Sequence, residues 1–438
     1  MRRKQIILFI SLLLLGPALW AQEKLTLGLE DAKQYAIQFN KNILNSSLSV
    51  QKSQEQLREA IAAGLPQVNA TADYNNALGA KISIQFDESA PSSSIPINPT
   101  STFNLQVTQL IFNANYFVGV QTSKLYEQLT HTSKLKTEEE IVSQVVNTYY
   151  TILIAGESLN ILHNNVANLQ EIYNKTKPMA EFGMIEKIEL DQLSVQVNTL
   201  QSALKTAERS LEVSKNMLRY QLGVSAGTEL ELTDSLEQIM QQGALTNNQD
   251  DFFNIGENLD YQLKLAEGEI QEKQINMQKA NYLPTISGYY TYTYKILKPR
   301  FDMQPKNMMG LQMNIPIFSS GERRSKVRQA KIDMETYQNE KELLQDQLGL
   351  QYSQLVFNLH NAMENYEDQI ENVEVSREVI KQYRQKFDQG IISSLELTTA
   401  DNNYLQAESD YLQATMQVLQ AQNDLDKIKG KLIENRKE

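Results

Sequence analysis

The sequence predicts a mainly α-helical protein with a β-barrel part, in which long coiled-coil helical hairpins adjoin four barrel strands and the whole is two copies of one unit. Three observations lead there. From Val120 to Glu181 there is no proline before Pro178, and from Glu322 to Gln389 there is no proline and one glycine, Gly349, so two very long helices are expected. In the segments that follow, apolar residues recur at every seventh position. Four shorter segments alternate apolar and polar residues at the period of a strand.

The export signal comes first in the chain. Arg2, Arg3 and Lys4 precede the apolar run "IILFISLLLLG", and "ALWAQ" supplies a small residue at Ala21, so residues 1–21 read as a signal peptide. Removing its three cations takes the formal net charge from −12 to −15. An acidic chain of this kind argues against a nucleic-acid partner. No cysteine is present, which excludes disulfides, thiolate metal sites and a cysteine-linked lipid anchor. No later segment holds the ~18 consecutive apolar residues of a membrane-spanning helix. Entry into a membrane is therefore left to strands.

Internal repetition organises the remainder. The segments starting at Asn40 and Asn258 both run through a helical pattern into Leu-Pro, at Leu65-Pro66 and Leu283-Pro284, with an offset of 218. "QLIFNAN" matches "IPIFSSG" at an offset of 206, and "FGMIEKIELDQL" matches "QGIISSLELTTA" at an offset of 207. Repeat 1 is expected over 22–223, with strands at about 67–82 and 102–113, a long helix at about 119–181 and a second at about 186–222. A connector spans 224–251, where "TELELT" alternates like a short strand. Repeat 2 is expected over 252–430, with strands at about 285–297 and 307–318 and helices at about 320–388 and 393–429; a polar tail, 431–438, follows.

The strands each show one apolar and one polar face. Ile286, Tyr290, Tyr292, Tyr294 and Ile296 alternate with Ser287, Thr291, Thr293 and Lys295, and Met309, Leu311, Met313, Ile315 and Ile317 form the apolar set of the partner strand. In the first copy Val68, Ala70, Ala72, Tyr74 and Leu78, with Phe103, Leu105, Val107 and Ile111, take the matching places. A two-stranded hairpin is marginal alone, and these lie between long helices with no other sheet to pack on. Their length and aromatic content fit an outer-membrane barrel, with Tyr74, Tyr290, Tyr292, Tyr294, Phe103 and Ile317 on the lipid side. Four strands cannot close a barrel, so copies of the chain would share one.

In the last helix Leu397, Tyr404, Tyr411, Val418 and Leu425 form one heptad series, and Ala400, Ala407, Ala414 and Ala421 the adjoining one. Leu190, Val197, Leu204, Leu211 and Leu218 match them in the first copy. A strict seven-residue repeat supercoils helices side by side, and the extra line Leu405, Leu412 and Leu419 suggests neighbours on both flanks, as in a ring.

Two copies of helix, Leu-Pro-strand, a strand ending "IPIFSSGERR", long helix and the turn "FDQGIISSLELTTADNNYLQAESDYL" resemble the TolC-like outer membrane efflux proteins, from about Leu25 to Gly430. The resemblance implies a homotrimer with a shared twelve-stranded barrel in outer-membrane lipid, continued into a twelve-helix periplasmic tunnel. It implies a conduit, not an enzyme, that serves an inner-membrane efflux pump or secretion transporter through a periplasmic membrane-fusion adaptor. No cofactor or metal is implied. The proline of "IPIFSSG" occurs in the second copy only, and a second acid three residues after the first at the tips is replaced by Gln192 and Thr399.

The turns carry the candidate site. Gly183 and Gly390 permit the reversal, and Met184, Ile185, Ile391 and Ile392 beside them are apolar residues suited to an adaptor docking tip. Glu189 and Glu396 lie six residues after each glycine, with Asp191, Thr399 and Asp401 nearby. In a trimer each becomes a ring of three, and an acidic ring at a narrowing attracts cations. On a lone coiled coil the same acids would be a solvated face. His131, His163 and His360 have no second histidine at ligand spacing, and the "FSSG" serines have no His and Asp pattern beside them. The alternative reading is a periplasmic coiled-coil interaction or adaptor protein without a membrane barrel. Such a protein should show one helical hairpin flanked by Gly-rich β domains.

Overall fold

The computed structural model describes residues 24–84, 93–241, 253–297 and 304–433. The export signal, 85–92 of the long polar loop, most of the connector beyond 241, 298–303 and the end of the tail lie outside the described residues. In chain order the elements are β1 (Lys24–Leu27), α1 (Leu29–Phe39), α2 (Lys41–Ala62), β2 (Gln67–Asn75), β3 (Lys81–Ile84), β4 (Ser93–Pro96), β5 (Thr100–Asn113), α3 (Ala114–Glu181) and α4 (Lys187–Leu222). There follow β6 (Glu229–Leu232), α5 (Leu236–Ile239), a 3₁₀ turn at Ile255–Glu257, α6 (Leu259–Ala280), β7 (Thr285–Leu297), β8 (Asn307–Asn314), α7 (Glu322–Asp388) and α8 (Ser394–Ile428).

The described residues fall into two compact units. One takes in those of Leu48–Ser133 and Asp260–Leu344. It holds an antiparallel four-stranded sheet of order β2-β5-β7-β8. Register decides what each face carries. Ala72 pairs with Phe103 and Phe103 with Tyr294; Ala70 pairs with Leu105 and Leu105 with Tyr292; Val68 pairs with Val107, Val107 with Tyr290 and Tyr290 with Met309. Since side chains alternate along a strand, these rows make one continuous apolar face. The rows between them, such as Thr71, Asn104 and Thr293, make a polar one, where the Thr293 hydroxyl donates to Asn104 Oδ1 at 2.8 Å. An irregularity between Leu110 and Phe112 absorbs one residue, so Phe112 pairs with Ile286 and rejoins the apolar face. β2 and β8 each have a neighbour on one side only among the described residues.

Two strands are shorter than the alternation suggests. β2 stops at Asn75 because Asn76 Oδ1 accepts the Leu78 N–H at 2.9 Å and Leu78 and Gly79 take positive φ, turning the chain. The residues after the turn pair as a separate ribbon, β3 with β4. β8 ends at Asn314, two residues before Pro316, which has no N–H for a ladder. Ile317, expected within the lipid-facing strand, therefore lies beyond it and is 91% exposed. Tyr74, Tyr290, Tyr294 and Phe103 are exposed on the apolar face, and Tyr292 is half-buried there.

The second unit takes in the described residues of Met1–Ser47, Lys134–Leu259 and Gln345–Glu438. β1 pairs in parallel with β6, and Leu27, Ala32, Ala36, Ile43, Val145, Tyr149, Leu218, Leu222 and Leu230 bury one core around them. Asp234 accepts the Tyr149 hydroxyl at 2.9 Å and the Leu29 N–H at 2.7 Å. The helical stretch from Leu29 to Ala62 is broken at Asn40, whose φ of −62° and ψ of 130° leave the helical region. The break has a use: the buried Asn40 amide donates to the Gln221 carbonyl at 2.6 Å, in the last turn of α4. Asn258, buried likewise, donates to the Ile428 carbonyl in the last turn of α8. Gly223 follows α4 at φ +75°, and a Cβ there would collide with the Phe39 carbonyl oxygen.

Candidate functional site at the helical tips

α3 ends at Glu181 and α7 at Asp388, and each is stopped by a glycine in the left-handed region, Gly183 at φ +73° and Gly390 at +72°. The Gly183 N–H donates to the Ala180 carbonyl and the Met184 N–H to Met179; the Gly390 N–H donates to Phe387 and the Ile391 N–H to Lys386. This pair of bonds is the Schellman termination, which satisfies the last helical carbonyls and needs a residue free to adopt positive φ. A Cβ would meet nothing at either glycine, so the backbone angle alone selects it.

The returning helices start differently. Ser393 caps α8: its Oγ accepts the Glu396 N–H at 3.2 Å, and the Glu396 carboxylate accepts the Ser393 N–H at 2.9 Å. Glu396 thus turns back on its own helix end. α4 begins at Glu186 with no side-chain cap bond. Glu189, at the position matching Glu396, instead accepts the Ser394 hydroxyl at 3.2 Å, joining the first tip to the second. Lys175 of α3 adds a further link, an ion pair of 2.9 Å with Asp388 at the end of α7, and these contacts raise its pKa. Leu169, Ile172, Leu193, Val197, Ile380, Leu397 and Ala400 form a core behind both tips.

The other candidates take distinct positions. Asp191 is exposed, and Thr399 is exposed with its hydroxyl donating to the Leu395 carbonyl at 2.9 Å. Asp401 is buried and bonded to Arg384 at 3.0 Å. Burial pushes its carboxyl above the usual aspartate range, and the Arg384 guanidinium opposes that shift. Arg377 and Tyr404 meet nearby at 3.3 Å, beside a groove of 470 Å³ that Asn165, Asn168, Arg384 and Glu408 also line. Burial likewise raises the Glu408 pKa.

Among the apolar tip residues, Met184 is 70% exposed and Ile391 64%. Ile185 is half-buried, and Ile392 packs against the core behind the tips, so it supports that core from within. Two residues escaped the sequence reading. Phe182 is 82% exposed directly before Gly183; its place at the end of a helix pattern was the available signal. The Ser393 cap was legible as Ser-x-x-Glu before an apolar run. Among the described residues no group of acidic, histidine or cysteine side chains could hold a metal ion, and no helix is long and apolar enough to cross a membrane.

The family model for "Outer membrane efflux protein" matches residues 33–224 and again 258–431. The outer membrane protein TolC of Vibrio cholerae serotype O1 is 20% identical over 349 residues, covering 75% of this chain and 73% of that protein. The structure resembles CusC with a TM-score of 0.76 at 15% identity, covering 95% of both chains. It also resembles the Campylobacter jejuni CmeC outer membrane channel, with a TM-score of 0.73 at 15% identity over 94% of this chain and 87% of that one.

Proposed function

Because the chain belongs to the outer membrane efflux protein family, we propose that it is the outer-membrane exit duct of a tripartite efflux pump or type I secretion system. Three copies share a twelve-stranded barrel in outer-membrane lipid and continue as a twelve-helix tunnel in the periplasm. A periplasmic membrane-fusion adaptor joins the duct to an inner-membrane pump or secretion transporter. The family is one of channels, so transport is by conduction and not by catalysis.

The observation that carries this reading is the four-stranded sheet, apolar on one face and polar on the other, with β2 and β8 each open on one side among the described residues. An open sheet with an exposed apolar face is stable in water only if covered; closure with other copies in lipid satisfies both needs. The tips fit docking through Phe182, Met184 and Ile391, which expose apolar surface at the two reversals. For the gate, Glu189 and Asp191 are the acids that neither cap their own helix nor pair with Arg384, and threefold repetition makes each a ring. Membrane fractionation tests the reading. The chain should require detergent for extraction and cross-link as a trimer, whereas a soluble monomer overturns it.

A further inference from the structure

α4 and α7 each carry a second seam besides the one that builds the core. Leu193, Val197 and Leu218 of α4 and Leu359, Val373 and Ile380 of α7 are buried. Two residues away, and so on the opposite side at about 100° per residue, runs a line spaced alternately three and four apart. On α4 it passes from Ile188 through Val195 and Arg209 to Tyr220, and on α7 from Leu350 through Phe357 and Glu364 to Gln382; every position of both lines is exposed. That spacing is the seam of a coiled coil.

The two seams differ in charge. Arg209 is the one charged position of the α4 seam, and exposed Lys205 stands one turn before it. The nearest acids on α4 turn elsewhere, Glu208 to His163 of α3 at 4.0 Å and Glu212 to Arg219 at 2.6 Å. α7 has five acids and no cation between Asn361 and Ser376. Glu364 lies 3.3 Å from His360 on its own helix. Asp368 and Glu371, like Arg209 and Lys205, form no ion pair among the described residues.

Height along the helices matches the opposite charges. Arg377 of α7 lies beside Tyr404 of α8 and Tyr366 beside Tyr411, so level partners in that hairpin have numbers summing to about 780. His163 beside Glu208 gives the first hairpin the same register once its offset of 207 is applied, and Glu189 against Ser394 puts the two tips at one height. A residue of α4 is therefore level with the residue of α7 that brings the sum to about 573, which is 780 less 207. Arg209 is level with Glu364, Lys205 with Asp368 and Ser202 with Glu371.

We propose that the α4 seam of one copy packs on the α7 seam of the next, and that Arg209 and Lys205 against Glu364 and Asp368 fix the register of this contact. The inference rests on the exit-duct reading and names the surface through which its copies meet. A closed ring of three needs two different faces in head-to-tail contact. Rotation about an axis along the helices leaves height unchanged, so residues level within a copy are level between copies. Phe357 then falls between Val213 and Tyr220, and Val375 beside Val195 and Thr199, so apolar contacts flank the charged level on both sides. A slip of one heptad sets Arg209 against Phe357 or Lys205 against Val375, and an unpaired charge is what such a slip costs.

The chain has no cysteine, so introduced pairs report on this contact in the full-length protein extracted from membranes. Ser202→Cys with Glu371→Cys should give covalent dimers and trimers under mild oxidation. Their yield should be at least about fivefold that of Ser202→Cys with Glu378→Cys, which lies one heptad, about 10 Å, out of register. Arg209→Glu should lower the trimer retained at low salt about fivefold, and Glu364→Arg in the same chain should restore it to within about twofold. Lys205→Glu with Asp368→Lys makes the same comparison if either of those variants fails to reach the membrane. Equal linking of the two cysteine pairs, no rescue by the reversed charges, or linking of these positions to another protein in place of a second copy overturns the proposal. A wild-type chain that stays monomeric under amine cross-linking overturns the exit-duct reading, and the inference with it.

Discussion

At the first tip Gly183 reverses the chain at φ +73°, and at the second Gly390 does so at +72°, each closing the same two carbonyl bonds. The helices that leave them differ. α8 starts on the Ser393–Glu396 box, while α4 starts on Glu186 without a side-chain cap and sends Glu189 across to Ser394. Backbone punctuation is thus common to both hairpins, since it answers a requirement that every helix reversal shares. Capping and charge are particular to each, and the acid that looked equivalent in the two turns has two jobs. The second tip is held from within; the first leans on the second.

Glycine punctuation should give the largest effects, and Gly223, at the other end of α4, calibrates the two tip glycines. Gly223→Ala combines a left-handed φ with a collision at the Phe39 carbonyl, and is expected to cost about 2 to 4 kcal/mol. Gly183→Ala and Gly390→Ala have open space and should each cost only about 1 kcal/mol. Thermal unfolding of the three variants in detergent orders them, and unequal costs at the two tips would break the equivalence of the turns.

The unshared part should give intermediate effects. Ser393→Ala removes a cap worth ~1 kcal/mol and is expected to speed hydrogen exchange in the first turn of α8. Glu186→Ser should slow exchange at the start of α4, by supplying the cap that this helix lacks. If Ser393→Ala left exchange unchanged, the capping difference would have no energetic weight.

The smallest effect concerns Asp401, which stands 207 residues after Ser194 and so has no acidic counterpart in the first hairpin. Its pKa is raised in the folded chain, which means that the folded chain holds this proton more tightly than the unfolded one. Stability from this group is then present at low pH and lost as pH rises from the ordinary aspartate range through the raised value. Asp401→Asn has no such proton. Its melting temperature relative to wild type should therefore be more favourable near neutrality than near pH ~4. The opposite trend would mean that Arg384 outweighs burial.

Much of this was legible in the sequence, and the rest was hidden for identifiable reasons. The breaker-free stretches and the Leu-Pro junctions mark where α3, α7, β2 and β7 lie, since each reflects a local backbone constraint. Heptad positions Leu397, Ala400, Ala414, Val418 and Leu425 are buried. The parallel pairing of β1 with β6 was not legible, because four residues beside the export signal carry no period and their partner is about 200 residues away. Asn40 opens a helical pattern in the sequence, but its buried bond to Gln221, which separates α1 from α2, has no sequence signal. Asp401 reads as a gate candidate and Ile392 as a docking-tip candidate; the Arg384 bond of the first and the packing of the second on the core behind the tips have no sequence signal.

The sides of β2 and β8 that have no neighbour among the described residues have one more consequence, for biogenesis. Unpaired ladder edges beside an apolar face are templates for indiscriminate strand addition. In the proposed shared barrel, a copy is most vulnerable to aggregation in the interval before other copies complete its sheet. Its effective stability would then depend on how many copies are present together, so under-expression and over-expression should both lower the yield of folded chain.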